Sequence, residues 1–219
     1  MPSGRGIRRG VRLAAPLVPA AAALGASFGV LARTAHFDAA AAVLMSATTF
    51  AGSAQVAAVS VLGAGGGVAA AVVAALLLNA RYAPIGISVA HGFRGSVARR
   101  LAESQLVVDE SWALSGGGTP SFERPILLGV GAALWVAWVG GTVVGALVGQ
   151  AIGDPSALGL DGAFAALFVA LLAGQLRDRR RVAAAAVGAA IAALLTPFAS
   201  PGVPIVAATA AAVVGWKRG

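Results

Sequence analysis

The sequence predicts an all-helical, polytopic membrane protein with about six or seven transmembrane helices, at least one of them interrupted or re-entrant in the first half. Three observations predict this fold class. Of the 219 residues, 58% are hydrophobic and only 11% are charged. The mean hydropathy of +0.87 would leave a soluble domain with a large apolar surface in water. The apolar residues also fall in long runs, and arginines cluster at the ends of those runs.

Composition also narrows the chemistry open to this chain. It contains no cysteine, so disulfides and thiolate metal sites are excluded, and we predict neither a cofactor nor a metal site. A net charge of +8 would suggest nucleic-acid binding in a soluble protein. Here the arginines flank apolar runs without interleaved aromatic residues, so we interpret them as topology determinants and expect no nucleic-acid partner. We expect residues 1–219 to form one integral membrane domain in the lipid bilayer.

The first apolar run covers residues 11–32 and follows four arginines, at positions 5, 8, 9 and 12. Positive charge before a first helix favours a cytoplasmic N-terminus. A cleavable signal peptide is the alternative, because a basic start, an apolar stretch and the small residues of 21–26 fit that pattern as well. We interpret the run as a retained helix, since the apolar stretch continues and the rest of the chain is membrane-embedded.

The next two runs, 39–63 and 67–90, contain more polar residues and helix breakers than a lipid-facing helix needs. Such residues are typical of transmembrane helices that are interrupted at a binding site. They are Ser46, Thr48, Thr49, Phe50, Gly52, Ser53 and Gln55 in the first run, and Asn79, Arg81, Tyr82, Pro84 and Gly86 in the second.

A polar stretch at 91–125 divides the chain into a first half, 1–90, and a second half, 126–219. We predict that it is a cytoplasmic connection, partly helical, that dips back toward the membrane. Basic residues at 177–181 and 217–218 place two further segments, including the C-terminus, on the cytoplasmic side. The apolar runs of the second half are 126–150, 158–176, 182–198 and 203–216.

The first half poses a conflict of topology. If each of its three runs crossed once from a cytoplasmic N-terminus, Arg94, Arg99 and Arg100 would lie outside the cell, against the positive-inside rule. We therefore predict that one interrupted run is re-entrant or folds as two half-helices. The alternative is a local failure of the rule.

Glycines recur at intervals of four in two of the runs. Gly25 and Gly29 share one helical face, as do Gly141, Gly145 and Gly149. Small residues at this spacing let the backbones of two membrane helices approach closely. We interpret both sets as helix-packing surfaces.

Arg81 is the first candidate for substrate binding, because a guanidinium inside an apolar segment needs a carboxylate, carbonyls or water. A substrate carboxylate is one partner; a structural ion pair to Asp109 or Glu110, or snorkelling to the interface, are the alternatives. Pro84 lacks an N–H, so it would free the Ala80 carbonyl to accept a substrate amine. Asn79 would join this site only if the helix is unwound there.

Gln55, Ser53 and Ser46 are further candidates, because Gly52 and Ser53 would let the helix break and expose backbone N–H groups to an anion. Ser46 and Ser53 lie on one helical face before or at that break. Ordinary interhelical hydrogen bonds are the alternative role for these hydroxyls.

These residues carry a resemblance to the AzlC family of branched-chain amino acid permeases over nearly the full length. The resemblance implies a bacterial inner-membrane protein that exports branched-chain amino acids such as valine together with a small AzlD-like membrane subunit. The family usually has Thr where this chain has Val108. The segments that carry the resemblance are Met45-Ser46, Phe50-Ala51-Gly52-Ser53-Ala54-Gln55, Leu78-Asn79-Ala80-Arg81-Tyr82, Asp109-Glu110-Ser111 and Leu160-Asp161-Gly162-Ala163-Phe164.

No nucleotide-binding motif is present in the sequence, so we expect secondary active transport, with Asp109 or Glu110 as candidate proton carriers. An intramembrane serine hydrolase is a rival reading, since Ser27 or Ser53 follows a small residue and the chain has two histidines. His36 and His91 lie at segment ends, where neither is embedded to act as a base, so we predict no enzyme. A passive channel or assembly subunit is the third possibility.

Overall fold

A computed structural model describes residues 4–80, 82–116, 122–151, 176, 179–199 and 203–211. Every regular element in these residues is a helix, which confirms the predicted all-helical class. The α-helices are α1 Gly4–Ala14, α2 Val18–Thr34, α3 Ala39–Thr49, α4 Gly52–Gly63, α5 Val68–Asn79, α6 Tyr82–Val89, α7 Val97–Ser104, α8 Asp109–Leu114, α9 Arg124–Ala151, α10 Arg179–Leu195 and α11 Val203–Ala208, and short 3₁₀ turns follow α6 at Ala90–Gly92 and α11 at Thr209–Ala211.

Helices α2 and α9 form the centre of the fold and run parallel to each other. The glycine faces are helix-packing surfaces, as predicted, and the structure shows that they pack against each other: a Cβ on Gly29 would overlap the Thr142 carbonyl, and one on Gly145 would overlap the Ala26 carbonyl. Among the described residues, Arg124–Gly149 of α9 is the one straight helix long and apolar enough to span a bilayer, and two bent helix pairs also qualify if each counts as one span. The total of six or seven crossings stays a prediction.

The first predicted run, 11–32, is broken rather than continuous. α1 ends at Ala14, α2 begins at Val18, and the two axes differ by 68°. Pro16 lies in the break and explains it, because proline disfavours helical backbone at the preceding residue and cannot donate an intrahelical hydrogen bond. α2 remains part of the core, where the Phe28 side chain is fully buried. This packing supports the interpretation of the segment as a retained helix.

The second run, 39–63, folds as a re-entrant hairpin. α3 begins four residues beyond Ala35, and α4 ends at Gly63, where a Cβ would lie 2.8 Å from the Ala35 Cβ. Both ends of the hairpin therefore lie at the C-terminal end of α2. Its tip reaches the middle of α9, because the Trp135 Nε1 donates to the Ala47 carbonyl at 3.0 Å. The predicted interruption in this run is confirmed, and it consists of a turn back.

The third run continues in a single direction through a break. α4 packs on α5 through a small apolar cluster that includes Ala58 and Ala74. α5 and α6 differ in direction by 49°. Beyond the break, the Trp112 Nε1 donates to the Ser88 Oγ at 2.9 Å and joins α6 to the polar connection.

The connection at 91–125 lies at the same end of the fold as the N-terminal helix. The Arg9 Nη1 lies 3.4 Å from the Glu123 Oε1. A Cβ on Gly131 would overlap the Leu106 carbonyl, so the connection packs closely against α9. Its return toward the membrane stays a prediction. One hairpin between two broken spans thus returns the chain to its starting side. This arrangement removes the topological conflict of the first half without a failure of the positive-inside rule.

The second half is described in part. The predicted run 126–150 corresponds to α9 and 182–198 to α10, while 203–216 is described only as far as Ala211, and 158–176 lies outside the described residues except for Leu176. Large apolar side chains on the outer faces of α5 and α9 are exposed, as at Val68 and Val136. A lipid environment accounts for such exposure in a membrane protein.

Candidate functional site

A cavity of about 560 Å³ lies between the tip of the α3–α4 hairpin, the α5–α6 break and α7. This volume is in the range of small-molecule sites, about 300–1,000 Å³. Its polar lining residues are Thr49, Asn79, Tyr82, Arg100, Ser104 and Gln105, and its apolar ones are Phe50, Ala51, Gly86, Val89, Ala90, Phe93, Val97, Leu101 and Val107.

The hairpin tip is a helix interruption at which side chains form hydrogen bonds with the free backbone groups. Phe50 has a left-handed backbone, with φ at 42°, which ends α3. In a continuous helix the Ala51 N–H would donate to the Ala47 carbonyl. Here it donates to the Gln55 Oε1 at 3.2 Å instead, while the Ala47 carbonyl accepts from Trp135. The break is therefore a specific, satisfied structure.

Ser46 and Gln55 belong to a buried network behind the tip. The Gln55 Nε2 and the Trp138 Nε1 donate to the Ser46 Oγ at 3.1 and 3.2 Å. The Thr142 Oγ1 donates to the Trp138 carbonyl at 2.9 Å, so its 2.8 Å bond to Ser46 uses the serine proton. Ser46, Gln55 and Thr142 are fully buried. The network anchors the hairpin to α9, and neither predicted site residue lines the cavity.

The other predicted site residues are placed differently. Asn79, the last residue of α5, lines the cavity, and its Oδ1 is buried without a hydrogen-bond partner among the described residues. Arg81 lies outside the described residues. Ser53 lies in the first turn of α4 and is not among the residues that line the cavity. The Ala80 carbonyl, which Pro84 was predicted to free, accepts the Ala83 N–H at 3.1 Å.

Arg100 is a cavity residue that the sequence analysis assigned to topology alone. The neighbouring Arg99 is paired with Glu103, with 2.9 Å between the Arg99 Nε and the Glu103 Oε1. The Arg124 Nε donates to the Glu103 Oε2 at 3.0 Å. Among the described residues, no carboxylate pairs with Arg100. The spacing of Val97, Arg100, Leu101 and Ser104 places all four on one face of α7, and that pattern was available in the sequence.

The two arginines that contact Glu103 set its protonation. Hydrogen bonds from Arg124 and Arg99 lower the pKa of this carboxyl below its ordinary value, against the opposing effect of burial. Glu103 therefore stays ionised and offsets one of the two positive charges of Arg99 and Arg124. The ion cluster ties α7 to the start of α9.

Asp109 and Glu110, the predicted proton carriers, form the first turn of α8. Glu110 is exposed, Asp109 is half-buried, and neither lines the cavity. The Val108 N–H donates to the Ser111 Oγ at 2.9 Å, so Ser111 supplies the hydroxyl at this helix start, where Val108 cannot. Proton coupling through this pair stays a prediction.

Comparison with known proteins identifies the family of this chain. The AzlC protein family model matches residues 16–152, which include the hairpin, the broken span, the connection and α9. An uncharacterized membrane protein of Archaeoglobus fulgidus is 31% identical over 95% of this chain and 94% of its own length. One from Helicobacter pylori is 26% identical over 69% of this chain and 68% of its own. No solved structure matches. Such relatives favour a transport-related role over catalysis, and the chain belongs to the AzlC family.

Proposed function

We propose that this chain is the large subunit of a two-part exporter of branched-chain amino acids, working with a small AzlD-like membrane subunit in a bacterial inner membrane. The cavity between the two broken helices is the observation that carries the proposal. Interrupted helices near the middle of a membrane protein are the usual setting for a solute site, because they free backbone groups and line a polar space.

The lining of the cavity suits a zwitterion with an aliphatic side chain. Arg100 offers a guanidinium to a carboxylate, and a bond of this kind is charge-assisted and can be bidentate. The Asn79 Oδ1 is a buried acceptor without a described partner. Val89, Phe93 and Val97 supply an apolar wall. The guanidinium matches a carboxylate, the apolar wall matches a branched side chain, and the Asn79 Oδ1 can accept one of the three N–H groups of an ammonium.

Arg81 remains part of the proposed site together with Asn79, its neighbour but one. Its position between α5 and α6 places it in sequence at the break of the third run. Gln55, Ser46 and Ser53 are proposed to act from behind the cavity by holding the hairpin in its broken form. Energy coupling is proposed to be secondary, with Asp109 or Glu110 exchanging a proton.

The positive-inside rule orients the proposed exporter. The N-terminal arginines and the connection at 91–125 share one end of the fold, and we propose that this end faces the cytoplasm. The C-terminus, with Lys217 and Arg218, would lie on the same side. The cavity, lined by α7 of the connection, is then placed to receive solute from the cytoplasm.

Efflux of labelled valine from preloaded vesicles tests this function, with and without the small subunit. Wild type, Arg81→Ala and Arg81→Lys are compared at matched expression. We expect saturable, stereoselective efflux from wild type with its partner, and its loss in the alanine variant. Linear, non-selective flux would favour a passive channel. No flux, combined with labelling of Ser27 or Ser53 by a covalent serine probe, would favour the hydrolase.

A further inference from the structure

The C-terminal end of α3 presents two backbone carbonyls at the edge of the cavity. Because the helix stops at Thr49, the Ala47 and Thr48 carbonyls have lost their intrahelical donors. The Gln105 Nε2 lies 2.8 Å from the Thr48 carbonyl oxygen and 3.3 Å from that of Ala47. Gln105, Thr49 and Phe50 line the cavity, whereas Ala47 and Thr48 do not, so the Gln105 carboxamide lies between their carbonyls and the cavity.

The two carbonyls form a better site for a cation than for a neutral amide. The C-terminal end of a helix carries partial negative charge, which stabilises cations in its last turn. Hydrogen bonds from an ammonium are about twice as strong as those from a neutral donor. A primary ammonium also offers three donors, whereas the Gln105 carboxamide offers two. A substrate ammonium in the cavity would therefore compete successfully with Gln105 for the same oxygens.

We propose that the Ala47 and Thr48 carbonyls are the ammonium subsite of the cavity, and that the Gln105 carboxamide occupies this subsite until a primary ammonium displaces it. The inference rests on the proposed function and adds a consequence. Gln105 lies between α7 and α8, within the connection at 91–125, so its displacement releases the connection from the hairpin tip. Binding of the ammonium would therefore also separate α7 from the hairpin tip.

The distance between the hairpin and α7 reports this displacement. The chain contains no cysteine, so Leu44→Cys on α3 and Ala98→Cys on α7 create the sole labelling sites. Both positions are exposed, and neither lines the cavity. Spin-label distances are measured in nanodiscs with the small subunit, in the absence and presence of valine, isobutylamine or isovalerate. We expect valine and isobutylamine to lengthen the distance and isovalerate to leave it unchanged.

Two variants of Gln105 should act in opposite directions. Gln105→Met keeps the side-chain length without donors, and loss of both hydrogen bonds should raise the released fraction about tenfold in the absence of any ligand. Gln105→Lys supplies a tethered ammonium, so it should hold the short distance even with valine present. A merely structural role predicts that both variants loosen the connection alike. Arg94→Ala is the control: it changes an exposed residue of the connection that does not line the cavity, and it should leave the response to valine intact.

The outcomes separate the subsite from the proposed function. A response to isobutylamine in wild type, with opposite effects of the two variants, supports the subsite even if valine fails to bind and the exporter function fails. Valine binding with no change in distance for either amine, and equal behaviour of Gln105→Met and wild type, would overturn the subsite and leave the exporter function standing. A response to isovalerate equal to that of isobutylamine would overturn it as well.

Discussion

Substitution of Ser46 by alanine tests whether the buried network behind the hairpin tip is structural. The change removes three hydrogen bonds, to Gln55, Trp138 and Thr142, and strands two buried donors. Interhelical hydrogen bonds in membrane proteins average about 0.6 kcal/mol, and a stranded buried donor costs about 1–3 kcal/mol. Three such bonds amount to about 2 kcal/mol and two stranded donors to about 2–6 kcal/mol, so we expect a loss of at least about 2 kcal/mol in the free energy of unfolding.

Equilibrium unfolding in mixed detergent micelles measures this loss. Ser60→Ala is the matched control, because Ser60 lies on the same hairpin and its hydroxyl makes no hydrogen bond to the described residues. We expect the control to change stability by less than about 0.5 kcal/mol. Equal stabilities of the two variants would refute the structural role. If Ser46→Ala instead keeps its stability and raises the KM for valine efflux, Ser46 contacts substrate directly.

Three further substitutions probe the scaffold and the ion cluster. Gly141→Ala should destabilise the protein by about 1–3 kcal/mol, because the new Cβ would overlap the Ala22 carbonyl; the adjacent Gly140→Ala, with nothing within 4 Å, should be tolerated, and thermal unfolding compares the two. Glu103→Gln should remove a stabilisation that exists while the carboxyl is ionised. Since folding lowers the pKa of Glu103, the excess stability of wild type over this variant should be complete above the carboxyl's ordinary value of 4.5 and vanish as pH falls through the lower folded value. A gap between the two proteins that grows on acidification would contradict this sign.

Much of the fold follows from local sequence. Glycine spacing predicts a packing face on each of α2 and α9, because side-chain position on a helix depends only on sequence separation; the pairing of the two faces is seen only in the structure. The re-entrant run follows from counting crossings: an odd number of spans in the first half would place the arginines of the connection outside the cell. This count needs only the sequence. The bend at Pro16 could also have been predicted, because proline breaks a helix. It was missed because the apolar content of residues 11–32 suggests one continuous helix.

The site was less predictable, since it depends on contacts between distant residues. Ser46 and Thr142 are 96 positions apart, and only tertiary packing shows that their hydrogen bond uses the serine hydroxyl. Sequence patterns identify polar residues at the breaks but do not tell which face the cavity and which face another helix. Arg100 was missed because its charge also suits a topology role, and the segment that contains α7 was predicted only as a partly helical cytoplasmic connection.

Binding of labelled valine to the purified complex tests the central claim, that the cavity between the broken helices holds the substrate. Among the described residues, Arg100 is the arginine that lines the cavity, and Arg100→Ala removes its charge; Arg94 is another exposed arginine of the same connection that does not line the cavity, and Arg94→Ala is the control. We expect Arg100→Ala to raise the Kd at least about tenfold through loss of a charge-assisted bond, and Arg94→Ala to leave it unchanged. Equal affinities for valine in wild type and Arg100→Ala would contradict the account.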